Sequence, residues 1–352
     1  MYEYTAVMHV HTIHSDGSYD VDRIAREGSN AGVDMIFITD HNINMVKELG
    51  KEGWYDNVLI LSGYELNDEN SKNHYLVFDI DSRLDGSQGA REYVQRVLEN
   101  GGIGFMAHPD ERRDHFHEHP PYQWTDTAVE GFTGIEIWNY MSEWMEALRP
   151  GRQLINLVFP DRTIKGPTPK VLDLWDEAGR TRRVVAIGSA DAHRYRHRML
   201  WFDVSIFPYR MLFRRIRTHF LFPSPLTGDF GTDKQMVYDT LREGRVFVTN
   251  FKNGDARGFS FSAVTGTGTV WMGGEAAMLN DLRLNVEVSV PACVKILRNG
   301  MPVLTEKLTE KRGSIEFTPI SPGTYRVEVT RKAKPWIFSN TIRVVSSDRE
   351  GE

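Results

Sequence analysis

The 352-residue sequence predicts a closed, mainly parallel α/β barrel followed by a smaller antiparallel β domain. Short apolar runs alternate with helical patterns up to about residue 250, which is typical of parallel strands joined by helices. After about residue 255 the polar and apolar residues alternate with a period of two, which indicates antiparallel strands. All 12 histidines lie between His9 and His219. Metal-ligand chemistry is therefore expected in the first part only.

Seven apolar runs before residue 190 have the length of buried strands. They are Ala6–His11, Met35–Thr39, Val58–Tyr64, His74–Ile80, Ile103–His108, Gly134–Trp138 and Val184–Ser189. Helical patterns lie between several of them, at Val21–Ala31, Gln88–Asn100 and Pro169–Ala178. Asp20 is predicted to cap the first helix, and Gly101-Gly102 to end the second. Strands in an all-parallel order predict a closed barrel, with functional side chains at the carboxyl ends of the strands.

The predicted domains are a barrel over residues 1–250 and a small sandwich over residues 255–346. Predicted strands of the second domain are Leu282–Val290, Val294–Leu297, Ser314–Phe317, Thr324–Val329 and Asn340–Val345. Asn299-Gly300 and Pro322-Gly323 are turn signals between them.

The composition narrows the class of partner. A formal net charge of -6 argues against nucleic acid as the main partner, because nucleic-acid binders usually carry a basic surplus. The single cysteine, Cys293, excludes an internal disulfide framework. No run reaches the roughly 18 apolar residues of a membrane span. We therefore expect a cytoplasmic protein without a membrane partner, and a homo-oligomer remains open.

Nine histidines and acids lie at or near the ends of predicted strands. They are His9, His11, Asp16, His41, Glu65, His74, His108, Asp191 and His193. His9 and His11, like Asp191 and His193, are two residues apart and therefore point to the same side of a strand. Any one of them alone is more simply a structural residue, but together they predict a metal centre.

Imidazoles and carboxylates without thiolates suit Zn²⁺, Mn²⁺ or Fe²⁺. Nine ligands are too many for one ion, so two or three divalent ions are expected. Asp40 is interpreted as a carboxylate that orients a ligand rather than as a ligand.

Five motifs resemble, in order, those of the PHP family (polymerase and histidinol phosphatase domain). They are His9-Val10-His11-Thr12 with Ser15-Asp16-Gly17, Thr39-Asp40-His41, Gly63-Tyr64-Glu65, Ala107-His108-Pro109 and Asp191-Ala192-His193. The resemblance covers residues 9–193 and implies a distorted (β/α)7, TIM-like barrel whose two- or three-metal site acts most often on phosphate esters. Residues 241–250, the β domain and Ser339-Asn340-Thr341-Ile342 are similar to the CehA/McbA branch, which includes carbamate ester hydrolases.

The resemblance also implies how the ligands are shared. One metal would take His9, His11, Glu65 and Asp191; a second would share Glu65 and add His74 and His108; a third would take Asp16, His41 and His193. Some family members carry histidine where this chain has Asp16, so the occupancy of the third site stays open. Bridging metals would lower the pKa of a bound water toward neutrality.

The protein is therefore predicted to be a metal-dependent hydrolase. Among such hydrolases, a phosphoesterase that acts on small molecules is favoured. Glu65, Asp191, His193 and Arg194 are the predicted catalytic residues, with Arg194 as a clamp for a substrate phosphate. His193 or His41 would assist leaving-group protonation only without a third metal. A carbamate or carboxyl ester hydrolase would use the same ligands; a nuclease and a non-catalytic structural module are the weaker alternatives.

Three further features have both a functional and a plain interpretation. His14 is a substrate contact or a solvated loop residue. Residues 110–119, with Arg112, Arg113, His115, His117 and His119, form a substrate loop, supply metal contacts or only line the mouth. The arginine-rich segment 194–217, which also contains Trp201, Phe202, Phe207, Tyr209 and Phe213, is a solvated amphipathic helix, a phosphate-binding lid or a dimer contact.

Overall fold

The structure is a computed structural model that describes residues 1–113, 115, 120–199 and 202–346, with the backbone alone for residues 195–199 and 202–205. Its strands are β1 Tyr2–Val10, β2 Met35–Ile38, β3 Gly53–Tyr55, β4 Val58–Leu66, β5 Tyr75–Phe78, β6 Ile103–Met106, β7 Gly134–Asn139, β8 Val185–Ala192, β9 Tyr195–Met199, β10 Phe202–Ile206, β11 Ile216–Phe222, β12 Val246–Asn250, β13 Ser260–Thr265, β14 Gly268–Trp271, β15 Glu275–Ala277, β16 Arg283–Val288, β17 Ala292–Arg298, β18 Met301–Leu308, β19 Gly313–Phe317, β20 Gly323–Arg331, β21 Lys334–Ser339 and β22 Ile342–Val345. The helices are α1 Val21–Ala31, α2 Met45–Glu48, α3 Ala90–Glu99, α4 Tyr140–Glu146, α5 Gln153–Val158, α6 Pro169–Ala178, α7 Tyr209–Leu212 and α8 Phe230–Glu243. Short 3-10 turns occur at Gly86–Gln88, Pro160–Arg162 and Phe251–Asn253.

A seven-stranded barrel forms the centre of the molecule. Its strands follow the order β1-β2-β4-β5-β6-β7-β8, and the pairing of β8 with β1 closes the ring. These are the seven strands predicted from the apolar runs, with shifted ends. The closed α/β barrel is therefore confirmed.

The predicted all-parallel order is wrong at β5, which runs antiparallel to both β4 and β6. A parallel neighbour needs a crossover of about a dozen residues or more. Residues 67–74 between β4 and β5 are too few for that, so the chain turns back directly. Because of this reversal, His74 at the start of β5 lies beside the end of β4 that carries Glu65.

Alternate residues of the barrel strands pack on two sides. Val7, Ile36 and Ile60 share an apolar cluster with Ile24 of α1, on the outside of the barrel. The adjacent side chains of Met8, Phe37 and Leu61 belong to a second cluster that also includes residues of α8. The barrel interior is therefore a packed apolar core below the mouth.

Helix α1 shows how local signals define the elements around the barrel. The carboxylate of Asp20 accepts a hydrogen bond from the backbone N–H of Arg23, and Gly32 ends the helix with a φ of 68°. Its bounds and those of α6 agree with the prediction. Helix α3 is shorter than predicted, and Gly101 follows it with a φ of 68°.

The C-terminal region is β-rich, as predicted, and is built from two sheets that share one apolar cluster. Strands β13, β14, β16 and β19 form the second, separate sheet. The first sheet is continuous with the barrel, because β1 pairs with β11, β11 with β12, and β12 with β21. The division at residues 250–255 and the all-β sandwich domain stay predictions.

The plain interpretation of the arginine-rich segment 194–217 as a solvated amphipathic helix is wrong. Strands β9 and β10 form a hairpin, and only the single turn α7 is helical before β11 begins. The side chains of Arg196, Arg198 and Phe202, and the whole of Trp201, are outside the described part of the structure. No helix in the described part is long and apolar enough to cross a membrane.

Candidate metal centre

All nine residues predicted to bind metal lie together at one mouth of the barrel. Four groups of three or four have potential ligand atoms within 4.8 Å of one another: His11, Asp16, His41 and His193; His9, Glu65 and His108; His9, His11 and Asp191; and His41, Glu65 and His74. Every group comes from strand ends or the loops that follow them. The convergence that the strand-end pattern predicts is therefore present.

Glu65 lies at the centre of these groups. Its Oε1 is 2.6 Å from Nδ1 of His74 and 3.1 Å from Nε2 of His108. Its Oε2 is 3.0 Å from Nε2 of His9, 3.3 Å from Nε2 of His11 and 3.2 Å from Nδ1 of His41. The two oxygens thus face different histidines, which is the arrangement expected of a bridging carboxylate.

Two aspartates complete the cluster. Oδ1 of Asp191 lies 3.4 Å from Nε2 of His9, 3.6 Å from Nε2 of His11 and 3.3 Å from Nδ1 of His193. Asp16 lies 3.1 Å from Nε2 of His193 through Oδ1 and 3.6 Å from Nε2 of His41 through Oδ2. Asp16 is the most exposed of the nine, with 43% of its side chain accessible, and therefore marks the open side of the cluster.

The geometry differs in detail from the ligand sets implied by the family resemblance. His11 groups with Asp16, His41 and His193 as well as with His9 and Asp191. His41 groups with Glu65 and His74 as well as with Asp16. These two histidines lie between adjacent groups, so the assignment of each ligand to one metal stays a prediction.

The polar atoms of the cluster fit a metal centre. Both ring nitrogens of the fully buried His11 lack a hydrogen bond among the described residues, although carboxylate oxygens lie within 3.6 Å. Nε2 of His74 and Nδ1 of His108 also lack one. Buried polar atoms without partners are costly, and imidazole with carboxylate is the donor set of Zn²⁺, Mn²⁺ or Fe²⁺. Divalent ions would use these donors.

The charges of the cluster depend on one another. Burial lowers the pKa of His41, but Glu65 and Asp16 outweigh it and raise that pKa to about 9. Burial, together with His193 and His41, lowers the pKa of His11 to about 4. Burial opposes the ionisation of Glu65, yet His9, His74 and His41 hold its pKa well below the ordinary value. The anionic Glu65 and neutral His11 are in the protonation states that metal ligation requires, whereas His41, whose pKa is raised, would have to release a proton when an ion binds.

Glu136 on β7 belongs to the site and was missed by the sequence analysis. Its Oε1 lies 3.0 Å from Nδ1 of His9 and accepts a hydrogen bond from Oγ of Ser189. Its Oε2 accepts from the backbone N–H of His108 at 2.8 Å and from Nδ2 of Asn139 at 3.0 Å. The sequence feature that could have identified Glu136 is its position as a lone acid inside the apolar run Gly134-Ile135-Glu136-Ile137-Trp138. Glu136 fixes the orientation of two candidate ligands.

The backbone is strained where candidate ligands leave their strands. His9, His108 and Asp191 have φ values of 64°, 29° and 53°, in a region that residues other than glycine rarely adopt. The register of β1 against both neighbours shifts around His9, which marks a bulge. The bulge lets His9 and His11 face Glu65 together, and such strain is typical of functional sites.

Asp40 holds the loop that carries Asp16, and it belongs to none of the four groups. Its oxygens accept hydrogen bonds from the backbone N–H and the hydroxyl of Thr12, both at 2.7 Å, and from Oγ of Ser15 at 2.5 Å. Gly17 lies at the end of the same loop. A Cβ there would overlap the carbonyl oxygen of His11, which accepts a hydrogen bond from the hydroxyl of Tyr209 at 2.6 Å.

Arg194 lies beside the cluster with a φ of 58°. Its guanidinium packs 4.7 Å from the ring centroid of Tyr19, and its Nε and Nη1 are buried without a hydrogen bond among the described residues. Arg23 packs on the same ring at 3.7 Å. A role of Arg194 in substrate binding stays a prediction.

Two of the other predicted substrate features, Arg113 and Arg217, are engaged in structural contacts. The Arg113 guanidinium is ion-paired with Glu111 and packs over Tyr122, whose ring stacks on His74 at 4.8 Å. The side chains of His115 and Arg112 are exposed, and His14 is half-buried. His117 and His119 lie outside the described residues. Arg217 is buried and donates to the carbonyl oxygens of Phe213, Ala31 and Gly32, so it has a structural role.

The described C-terminal strands supply no member of the four groups, all of which lie between His9 and His193. The confinement of ligand chemistry to the barrel stays a prediction.

The solved structures to which this chain is similar include the following two. A two-domain protein from Bacteroides vulgatus ATCC 8482, described as containing a predicted PHP-like metal-dependent phosphoesterase, is 14% identical, with 97% of this chain and 95% of that chain covered and a TM-score of 0.45. A putative metal-dependent phosphoesterase from Bifidobacterium adolescentis ATCC 15703 is 13% identical, with 57% of this chain and 92% of that chain covered and a TM-score of 0.32. No family model and no curated protein matches the chain.

Proposed function

We propose that the protein is a metal-dependent hydrolase of ester bonds and that phosphate esters of small molecules are its substrates. The observation that carries the proposal is the convergence of five histidines on the two oxygens of the buried Glu65. A carboxylate placed between two sets of imidazoles is suited to bridge two divalent ions, and Zn²⁺, Mn²⁺ or Fe²⁺ fit these donors.

Bound divalent ions would activate a water molecule and neutralise the charge that develops on phosphoryl oxygens. The side chains of the protein hold this arrangement in place. Glu136, which accepts a hydrogen bond from Ser189, orients His9, Asp40 fixes the loop that carries Asp16, and the interior apolar core excludes water from below. Asp16 and His41 lie on the exposed side, where a substrate has access.

Phosphate is proposed as the reacting group because Arg194 lies beside His193 with two buried nitrogens that make no hydrogen bond among the described residues. A guanidinium in that state is suited to bind phosphoryl oxygens in a forked geometry. The carbamate or carboxyl ester hydrolase remains the alternative, since the same ligands would serve it.

The experiment loads the protein separately with Zn²⁺, Mn²⁺ and Fe²⁺ and compares a phosphomonoester, a phosphodiester and a carboxyl ester as substrates. We expect two or three ions per chain and turnover of the phosphate esters. Glu65→Gln should lower both metal content and turnover, because it removes the central negative charge while keeping the shape of the side chain. Glu306→Gln, an exposed change on β18, is the matched control.

Turnover of the carboxyl ester alone would replace phosphate by the alternative substrate class. At most one ion per chain, or full activity of Glu65→Gln, would contradict the proposed centre.

A further inference from the structure

A second cleft lies apart from the metal centre, between the segments that follow β7 and β10. Its volume is about 530 Å³, within the range of roughly 300–1,000 Å³ that is common for small-molecule sites. Its described lining comes from residues 157–162, residues 207–215 and Lys334 at the start of β21. None of the nine candidate ligands is part of this lining.

The walls of the cleft are apolar and open to water. Leu157, Val158, Phe159, Phe207 and Met211 contribute them. Val158 is 58% exposed and Phe159 49% exposed, and Leu154 and Ile155 beside them are 71% and 55% exposed. A contiguous group of large apolar side chains in water is unfavourable, and it usually marks a binding site.

The charge of the cleft is positive. Arg162, Arg215 and Lys334 line it, against Asp161 as the one acid of the described lining. Asp161 is already neutralised, because Nε of Arg215 lies 2.6 Å from its Oδ1 and Nζ of Lys252 lies 3.6 Å from its Oδ2. No carboxylate of the described residues pairs with Arg162 or Lys334, which leaves two cations for a ligand.

We propose that this cleft binds a small amphipathic organic anion. Its apolar part would cover Val158, Phe159 and Met211, and its anionic group would lie near Arg162 and Lys334. Charge complementarity selects an anion over a neutral or cationic amphiphile, because burying the apolar walls also desolvates these two cations. The site gives the C-terminal β region a role in binding, through Lys334, and it is independent of the proposed hydrolase function.

The test uses decanoate as the probe, below its micellar concentration, on the metal-loaded protein, with binding measured by calorimetry. Decyltrimethylammonium serves as the cationic counterpart with the same tail. We expect one decanoate per chain, and binding of the cation that is weaker by about tenfold or more. The titration is repeated after treatment with a chelator, because a carboxylate could also bind to the metal centre. Unchanged binding then assigns the probe to the cleft.

Two variants examine the walls and the charge of the cleft separately. Val158→Asp places a carboxylate among the apolar walls and should weaken binding about tenfold or more. Lys334→Gln should weaken binding several-fold. The controls are Ile320→Asp, at an apolar residue that is 82% exposed and not part of the cleft, and Lys307→Gln on β18. Both should bind decanoate like the wild type.

The proposal is wrong if decanoate does not bind, if both amphiphiles bind equally, or if Val158→Asp and Lys334→Gln bind like their controls. Loss of binding on chelation would place the probe at the metal centre instead. Self-association that Val158→Asp abolishes, without decanoate binding, would show that a second copy of the chain covers these apolar residues.

Discussion

Glu136 faces the Nδ1 edge of His9 at 3.0 Å, while Glu65 faces the Nε2 edge of the same ring at 3.0 Å. The imidazole is therefore held between two buried carboxylates, of which only Glu65 belongs to the set predicted to bind metal. This relationship fixes which nitrogen is available to an ion, since the hydrogen bond to Glu136 keeps the proton on Nδ1.

We expect Glu136→Gln to lower metal affinity about 10- to 100-fold, because the neutral amide holds the His9 ring less firmly than the carboxylate does. Affinity is measured by competition with a fluorescent chelator. Asp233→Asn is the matched control, since Asp233 is also fully buried and accepts hydrogen bonds from Trp54, Thr227 and Gly228 away from the site. Both variants should be less stable to heat, but only Glu136→Gln should lose metal affinity. Equal affinity in both would show that Glu136 is only structural.

Arg194→Ala is expected to reduce hydrolysis of a phosphate monoester far more than hydrolysis of an uncharged ester. The loss of one charge-assisted contact costs roughly 1.5–3 kcal/mol, or about ten- to a hundredfold in kcat/KM. Arg23→Ala is the matched control, because Arg23 packs on the same Tyr19 ring but is exposed. Paired kinetics on both substrates give the measurement. Equal losses on both esters would identify Arg194 as a structural residue.

Glu146→Gln is expected to make the protein more heat-stable at pH 8.5 than the wild type, with a smaller difference at pH 5. Burial and the nearby Asp110, Glu111 and Glu143 raise the pKa of Glu146 from 4.5 to about 7. A carboxyl group whose pKa is higher in the folded state favours folding at low pH, and this contribution is lost as pH rises through about 7. The neutral amide avoids that loss.

The measurement for Glu146→Gln is the Tm at both pH values, with Glu306→Gln as an exposed control for the change in charge. A difference between wild type and Glu146→Gln that does not grow with pH would contradict the raised pKa of Glu146.

Gly17→Ala should displace the loop that carries Asp16 and lower the metal content by about one ion per chain, because the new Cβ overlaps the carbonyl oxygen of His11. Gly231→Ala in α8 is the control, since its Cβ meets only Oδ1 of Asp229, at 3.7 Å. Metal analysis and circular dichroism together provide the test. A folded Gly17→Ala protein with unchanged metal content would show that the loop tolerates the side chain.

The barrel and the nine clustered residues can be predicted from the sequence because both depend on short-range patterns. Apolar runs reveal strands, and a histidine or acid at the end of such a run is visible without knowing which strands are neighbours. Glu136 is not among the predicted site residues because a single acid within an apolar strand has no partner in the local sequence. Its partners, His9 and Ser189, are remote along the chain.

Two predictions are wrong because the local sequence pattern does not contain the feature that decides the structure. The antiparallel direction of β5 depends on the length of the preceding connection, a constraint that the apolar pattern of His74–Ile80 does not contain. The plain interpretation of the arginine-rich segment as an amphipathic helix rests on arginines interleaved with aromatic residues. In the structure, the backbones of β9 and β10 within this segment pair with each other as a hairpin, and pairing with β1 and β12 makes Ile216–Phe222 a strand.

The pairing of the first strand has a consequence for synthesis of the chain. On one edge β1 pairs with β2, which follows it early in the sequence. On its other edge it pairs with β8 and β11, which are synthesised much later. Until residue 222 has left the ribosome, the nascent chain presents an apolar strand with one unpaired edge. In the same way, one edge of β12 stays unpaired until β21 has been synthesised. Such long-range pairings fold slowly and expose strand edges that aggregate. We therefore expect chaperones that bind the nascent chain to raise the yield of folded protein.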